Sequence, residues 1–262
     1  SYTLGLGATD MGTGCDTILS QMAADILETD LDNVIPFGVD TDVSPYDSGS
    51  YASATTYITG KAVAKAAENL KEKVIKMGAS MLEVEPDEVT FNGKCVEKKD
   101  QSAKVTLPEI GVRGTFGNND ALQVTENCGA EISPPPYMVG IAEVEIDKET
   151  GSVELIDYVA VVDCGTPINP NLARVQTEGG IAQGIGMALF EDIQYTEKGA
   201  MANNSLMQYK IPSRLDVGKI RVEFKPSYEK SHPFGAKSIG EIVIDTPCPA
   251  IANAVYNAVG LR

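Results

Sequence analysis

Histidine occurs once in this sequence, as His232, and the five cysteines (Cys15, Cys95, Cys128, Cys164, Cys248) are scattered, with no Cys-x-x-Cys pair among them. That scarcity leaves no cluster with the ligand spacing of a zinc or iron–sulfur site. It also excludes a Ser-His-Asp or Cys-His centre unless His232 is the base, and in Ser231-His232-Pro233-Phe234 the histidine reads as a turn residue. Unpaired cysteines of this kind belong to a reducing compartment, so a cytoplasmic location is expected. No apolar run approaches the ~18 residues of a membrane span. The first residues lack the basic, apolar, small-residue order of a signal peptide. Positive charge is also short: 21 basic residues against 37 acidic ones give a formal net charge of −16. Nucleic acids and anionic membranes are thereby disfavoured as partners.

What is present is enough for a large core: 43% hydrophobic residues over 262 positions, in one or two domains. Residues 1–10 alternate like a strand and run straight into a glycine-rich turn, an abrupt opening that reads as a chain divided from something longer. Apolar residues at helical period (Ile18, Met22, Ala23, Ile26, Leu27) predict a helix over about 16–28. A short strand follows at 33–39, then a polar loop at 40–49. A long helix is expected at roughly 53–82, with Val63, Ala67, Leu70, Val74, Met77 and Met81 as its core stripe. Asn92-Gly93 marks a hairpin within 86–96. A short helix can start at Thr106 with Pro108 in its first turn, and 111–121 reads as a loop. Pro134-Pro135-Pro136 punctuates the chain, placing the boundary between subdomains 1–133 and 134–262. Beyond it, strands over 137–147 and 151–163 flank the turn Lys148-Glu149-Thr150. A glycine-rich helix at about 170–190, a strand at 221–224 and a last helix at 247–260 complete the chain. Strands and helices mix without strict alternation, which favours α+β with mixed sheets.

Four segments carry candidate chemistry. Met11-Gly12-Thr13-Gly14 enters a helix, where free backbone N–H groups and the helix dipole suit a phosphate; a plain helix cap is the alternative. The dinucleotide fingerprint and the P-loop lysine are both missing. Ser48 to Thr56 crowds small side chains and hydroxyls at the mouth of the long helix, suited to a polar heterocycle or simply to an N-cap. Gln183 sits in Glu178-Gly179-Gly180-Ile181-Ala182-Gln183-Gly184-Ile185-Gly186, where several helical glycines demand either tight packing or a ligand. The last is Gly235-Ala236-Lys237-Ser238-Ile239-Gly240-Glu241, a carboxylate directly after a glycine.

Taken in order, these segments resemble the C-terminal half of the molybdenum-binding subunit of the xanthine dehydrogenase/aldehyde oxidase family of molybdenum hydroxylases. The resemblance also runs through Thr9-Asp10, Gly60-Lys61-Ala62-Val63, Asp163-Cys164-Gly165, Tyr209-Lys210-Ile211-Pro212 and Pro249-Ala250-Ile251-Ala252-Asn253-Ala254. It implies that Glu241 is the catalytic base. It further implies that Gly12, Thr13, Gly14, Ala52, Ser53, Ala54, Thr55, Gln183, Lys237 and Gly240 contact the cofactor, with no protein ligand to the metal. The family usually has Gln where this chain has Thr13. The implied cofactor is molybdopterin with molybdenum, the cytosine dinucleotide being the usual bacterial form, with a terminal sulfur or selenium ligand. The implied chemistry is hydroxylation of an N-heterocycle by water, nicotinate to 6-hydroxynicotinate first among the choices. Other purine, aldehyde or aromatic substrates, or a non-catalytic assembly role, are the alternatives. The implied partners are a large molybdopterin subunit supplying the family's N-terminal half, an iron–sulfur subunit with [2Fe-2S] clusters and an FAD subunit. A nucleotide-binding enzyme using the glycine turns for phosphates is the weakest reading.

Overall fold

The computed structural model describes residues 1–117, 121–129 and 132–261. They form two compact units, Ser1–Ile132 and Ser133–Arg262.

In the first unit, β1 (Tyr2–Gly5) pairs in parallel with β2 (Val34–Phe37), and α1 (Cys15–Ile26) connects them. α1 buries Leu19, Met22 and Ala23, and α2 (Gly60–Met81) buries Val63, Ala64, Ala67 and Val74. This is the stripe that four-and-three spacing predicts. α2 begins later than expected. Ala52 (φ 52°) and Ser53 (φ 55°) are both left-handed, and residues Thr55–Thr59 form a π-turn before the α-helix starts at Gly60. Two successive non-glycine residues in that region interrupt helical bonding, and a Thr-Thr-Tyr-Ile-Thr run rich in β-branched side chains favours the α-helix little.

The hairpin β3 (Val89–Phe91) and β4 (Cys95–Lys98) turns at Asn92-Gly93, with Gly93 at φ 77°, and β5 (Lys104–Thr106) adds a third antiparallel strand. α2 lies close against this sheet: a Cβ on Gly78 would stand 2.6 Å from Val96 Cβ. α3 runs over Leu107–Phe116, so most of the expected 111–121 loop is helical, while 118–120 lie outside the described residues. A reciprocal capping box between Thr106 and Glu109, with proline in the first turn, nucleates it strongly enough to carry the helix across Gly111 and Gly114.

In the second unit, β6 (Tyr137–Ile146), β7 (Val153–Asp163) and β8 (Lys219–Phe224) form one mixed sheet with β7 central, antiparallel to β6 and parallel to β8. α4 (Pro170–Leu189) lies between β7 and β8 in sequence. Tyr158, Ala160, Val162, Ile181, Ile185 and Ile251 bury one face of the sheet against α4 and α6 (Pro247–Val259). The opposite face of β6 leaves Tyr137, Val139 and Ile141 exposed. The α4 glycines are explained largely by packing. A Cβ on Gly180 would collide with Val243 of α5 (Ile242–Asp245), and one on Gly184 would stand 2.6 Å from Pro247 Cγ. One on Gly186 would reach Pro212 at 3.0 Å. Each helical glycine costs about 1 kcal/mol relative to alanine, and close helix contact offsets it. Among the described residues no helix is long and apolar enough to cross a membrane.

Candidate functional site

The first unit holds two of the four segments. At the start of α1 the Asp10 carboxylate turns inward. It accepts the amides of Gly12 (2.8 Å) and Gly14 (3.2 Å) on Oδ1, and that of Asp16 (3.3 Å) on Oδ2. Burial pushes the Asp10 carboxyl up, but these amides and that of Thr13 pull harder and hold it below the usual carboxylate range. The helix N-terminus therefore already carries an anion, the chain's own. A phosphate on these same amides, the sequence expectation, would have to displace it. Outside this nest the turn is open: Gly12 and Thr13 are exposed, and a Cβ on Gly12 would meet nothing within 4 Å. Cys15 and Asp16 lie beside Asp10, but burial and the two carboxylates push the Cys15 thiol up to about 11, so it remains a protonated thiol.

The second segment is Ser48 to Thr56. The Asp47 carboxylate accepts the Gly49 amide at 2.7 Å and the Thr59 hydroxyl at 3.3 Å, tying the loop to the π-turn. Ser50 and Thr55 share a hydroxyl–hydroxyl bond of 2.8 Å. Between them Ala52 is exposed, Ser53 and Ala54 are half-buried, and Ala52 and Ser53 hold their left-handed backbone. Left-handed non-glycine residues cost about 1–2 kcal/mol each and persist where a site needs the chain bent that way.

The second unit holds Gln183 and Glu241. Gln183 is exposed on α4, and Gly179, one turn earlier on the same face, is exposed with nothing within 4 Å of where a Cβ would stand. The packed glycines Gly180 and Gly184 point elsewhere on the helix, towards α5 and α6. Glu241 is the exposed N-cap residue of α5, and its carbonyl accepts the Ile244 amide at 3.1 Å. α5 is held on α4 by the fully buried Val243, so the carboxylate at 241 stands two residues from a fixed point.

On its other side Glu241 follows a tightly tied loop. His232, 1% exposed, accepts the amides of Phe234 (3.2 Å) and Ala236 (3.3 Å) on Nδ1, which fixes its neutral tautomer with the proton on Nε2. It is a turn residue, as expected, and a buried one. The Thr166 amide donates to the Gly235 carbonyl (2.7 Å) and the Lys237 amide to the Cys164 carbonyl (2.8 Å). Gly165 (φ 66°) pairs with Ala236 there, and a Cβ on it would strike the Gly235 carbonyl.

Lys237, which the resemblance assigns to the cofactor, has its charge engaged inside the fold. Its side chain is 9% exposed, and Nζ lies 3.0 Å from Asp163 Oδ2 and 5.4 Å from the Tyr137 ring centroid. Asp163 also accepts the Gly165 amide (2.9 Å) and the Ser227 hydroxyl (2.8 Å). Burial pushes the Asp163 carboxyl up, but the Gly165 amide, the Lys237 ammonium and Ser227 together hold it at about 2. The pairing of Asp163 with Lys237, the roles of Ser227 and Tyr137, and the burial of His232 are not legible in the sequence. The one signal is an acidic residue ending an alternating strand just before Gly165.

In the first unit the segment offers hydroxyls and bent backbone, and in the second an exposed amide and an exposed carboxylate, and groups of each kind suit the polar edges of a pterin. Lys237, the one cation among the residues the resemblance names, is paired with Asp163.

Comparison with known proteins shows the family. The pattern defining the molybdopterin cofactor-binding domain matches residues 1–218. The chain therefore belongs to that family, and it is an α+β cofactor-binding portion of the molybdenum hydroxylases typified by xanthine dehydrogenase and carbon monoxide dehydrogenase large subunits. It is 36% identical over 259 residues to a probable hypoxanthine oxidase of Escherichia coli K12, covering 97% of this chain and 27% of that protein. It is 32% identical to the gamma subunit of the 6-hydroxypseudooxynicotine dehydrogenase complex of Paenarthrobacter nicotinovorans, covering 98% of this chain and 33% of that one. Among solved structures it is similar to quinoline 2-oxidoreductase from Pseudomonas putida 86, with a TM-score of 0.79, 29% identity and coverage of 97% and 33%. The chain thus spans about a quarter to a third of the relatives it matches.

Proposed function

We propose that this chain is a catalytic portion of a multi-subunit molybdenum hydroxylase, similar to the medium molybdopterin subunit of nicotinate dehydrogenase, and that Glu241 is its general base. The observation that carries the reading is the placement of Glu241: an exposed carboxylate at the head of α5, bracketed by the tied loop at 235–237 and by Val243 packed on α4, the helix that exposes Gln183. A base must be held in a fixed place and remain accessible, and an exposed carboxylate between two anchored segments supports that reading.

Bound, the molybdenum cofactor supplies the two-electron oxidising centre. The chain's own residues do the placing. Gln183 offers an amide that can both donate and accept. Ala52, Ser53, Ala54 and Thr55, with bent backbone and hydroxyls, would hold the pterin, and Gly12 and Thr13 would add contacts to it. Thr13 reaches less far than the Gln usual in the family, so that contact would be shortened, water-bridged or supplied elsewhere. The Glu241 carboxylate would accept the proton released as water-derived oxygen bonds to the substrate carbon beside a ring nitrogen, while that carbon's C–H bond breaks and its electron pair passes to the bound oxidising centre.

Names among the relatives support an N-heterocycle: quinoline 2-oxidoreductase and nicotine 6-hydroxylase. Nicotinate, converted to 6-hydroxynicotinate, is the proposed substrate. The proposed partners are a large molybdopterin subunit, an iron–sulfur subunit with [2Fe-2S] clusters and an FAD subunit. The proposed cofactor is the cytosine dinucleotide form, with sulfur or selenium at the metal, and the proposed location is the cytoplasm. Native mass spectrometry of the complex, with metal and released-pterin analysis and a nicotinate assay, tests the partners, the cofactor and the substrate together. A complex with neither molybdenum nor pterin would leave the assembly role.

A further inference from the structure

We infer that Asp163 and Lys237 are positioning residues for the Glu241 turn: their ion pair, capped by the Tyr137 ring, pins the loop from which the carboxylate projects. The inference rests on the reading of Glu241 as the base and adds what sets its position.

The loop meets the end of β7 at three points. Two are the backbone bonds from Thr166 to Gly235 and from Lys237 to Cys164, which flank Gly165 and Ala236 and make their pairing, and the third is the ion pair. All three fall within Gly235, Ala236 and Lys237, which are all buried. His232 holds the same stretch from behind through two amides. Only Ser238, Ile239 and Gly240 separate Lys237 from Glu241, and the chain is fixed again at Val243. The side chain of Lys237 is therefore the charged anchor nearest the carboxylate, and Ile239 adds an apolar contact with the core between them. Asp163 holds that anchor, and Ser227 and the Gly165 amide hold Asp163 in turn. An ammonium so engaged does not reach out to a cofactor without leaving Asp163 unpaired in a largely buried place. The pair acts on the reaction through geometry, and small displacements of a reacting group are costly: about 1 Å can cost 10²-fold in rate.

The test uses the complex reassembled with its partners and four variants of this chain: Asp163→Asn, Lys237→Met, the double variant and Glu241→Gln. A milder fifth, Asp163→Glu, keeps the charge and adds one methylene. Each single variant of the pair is expected to lower kcat by about 100-fold, with KM within about twofold and molybdenum and pterin content unchanged. The double variant is expected to be no worse than either single one, because one interaction is being removed. Asp163→Glu is expected to lose about tenfold. Hydrogen–deuterium exchange of the Thr166 and Lys237 amides is expected to quicken in both single variants. The inference is overturned if the pair variants turn over normally while Glu241→Gln is dead. It is overturned equally if Lys237→Met sheds cofactor that Asp163→Asn retains, which would make Lys237 a cofactor ligand. If Glu241→Gln is fully active the base reading fails, and unchanged exchange rates would then defeat the pin as well.

Discussion

Lys237 sets its ammonium 3.0 Å from the carboxylate of Asp163, 74 residues earlier in the chain, and so joins the end of β7 to the turn that presents Glu241. The pair has a consequence for acid stability. Asp163 titrates at about 2 when folded, below its ordinary 3.8, so its contribution is present above the ordinary value and is lost as pH falls through the folded one. Denaturant midpoints measured against pH are expected to fall as pH drops from 3.8 towards about 2. Asp163→Asn is expected to flatten that limb. At neutral pH it removes roughly 3 kcal/mol, because the buried ammonium loses its partner.

Asp10 plays the anion at the head of α1. Asp10→Gly strips the amides of Gly12, Thr13, Gly14 and Asp16 of their shared acceptor, and is expected to destabilise the first unit by about 1–3 kcal/mol. The vacated nest is a helix N-terminus with free N–H groups, which binds anions readily. Added inorganic phosphate is therefore expected to raise the melting temperature of Asp10→Gly and to leave the unsubstituted chain unchanged. An equal response of both proteins would show that phosphate binds elsewhere.

Adjacent glycines on α4 are expected to respond with opposite signs. Gly179→Ala places a methyl in open space and gains helix propensity, a stabilisation of about 0.5–1 kcal/mol. Gly180→Ala drives a methyl into Val243, where overpacking costs about 1–3 kcal/mol. It is also expected to loosen α5 and so lower turnover in the assembled enzyme. Thermal unfolding of the two variants separates the effects directly.

Much of this architecture is legible in the sequence because it is local. The alternation on either side of Lys148-Glu149-Thr150 marks β6 and β7, Asn92-Gly93 marks the hairpin, and the Val63-to-Met81 stripe marks the buried face of α2. Local signals misplace the start of α2, since nothing in the letters of Ala52 and Ser53 announces left-handed backbone in residues that usually avoid it. They underestimate α3, where the capping box outweighs the glycines that follow. Of the site, the carboxylate and its glycine-rich turn are visible as a motif. The engagement of Lys237 by Asp163 is a pairing across most of the second unit, and the Asp10 nest depends on a turn curling back on one side chain. No spacing rule reaches either of them.

The most direct measurement of the central claim is the turnover of the reassembled complex carrying Glu241→Gln, with molybdenum and pterin quantified in the same preparation. Loss of a positioned general base is expected to lower kcat by about 10²–10⁴-fold while cofactor content stays at the level of the unsubstituted complex. Undiminished turnover with full cofactor would contradict the claim that the carboxylate at the head of α5 takes the proton.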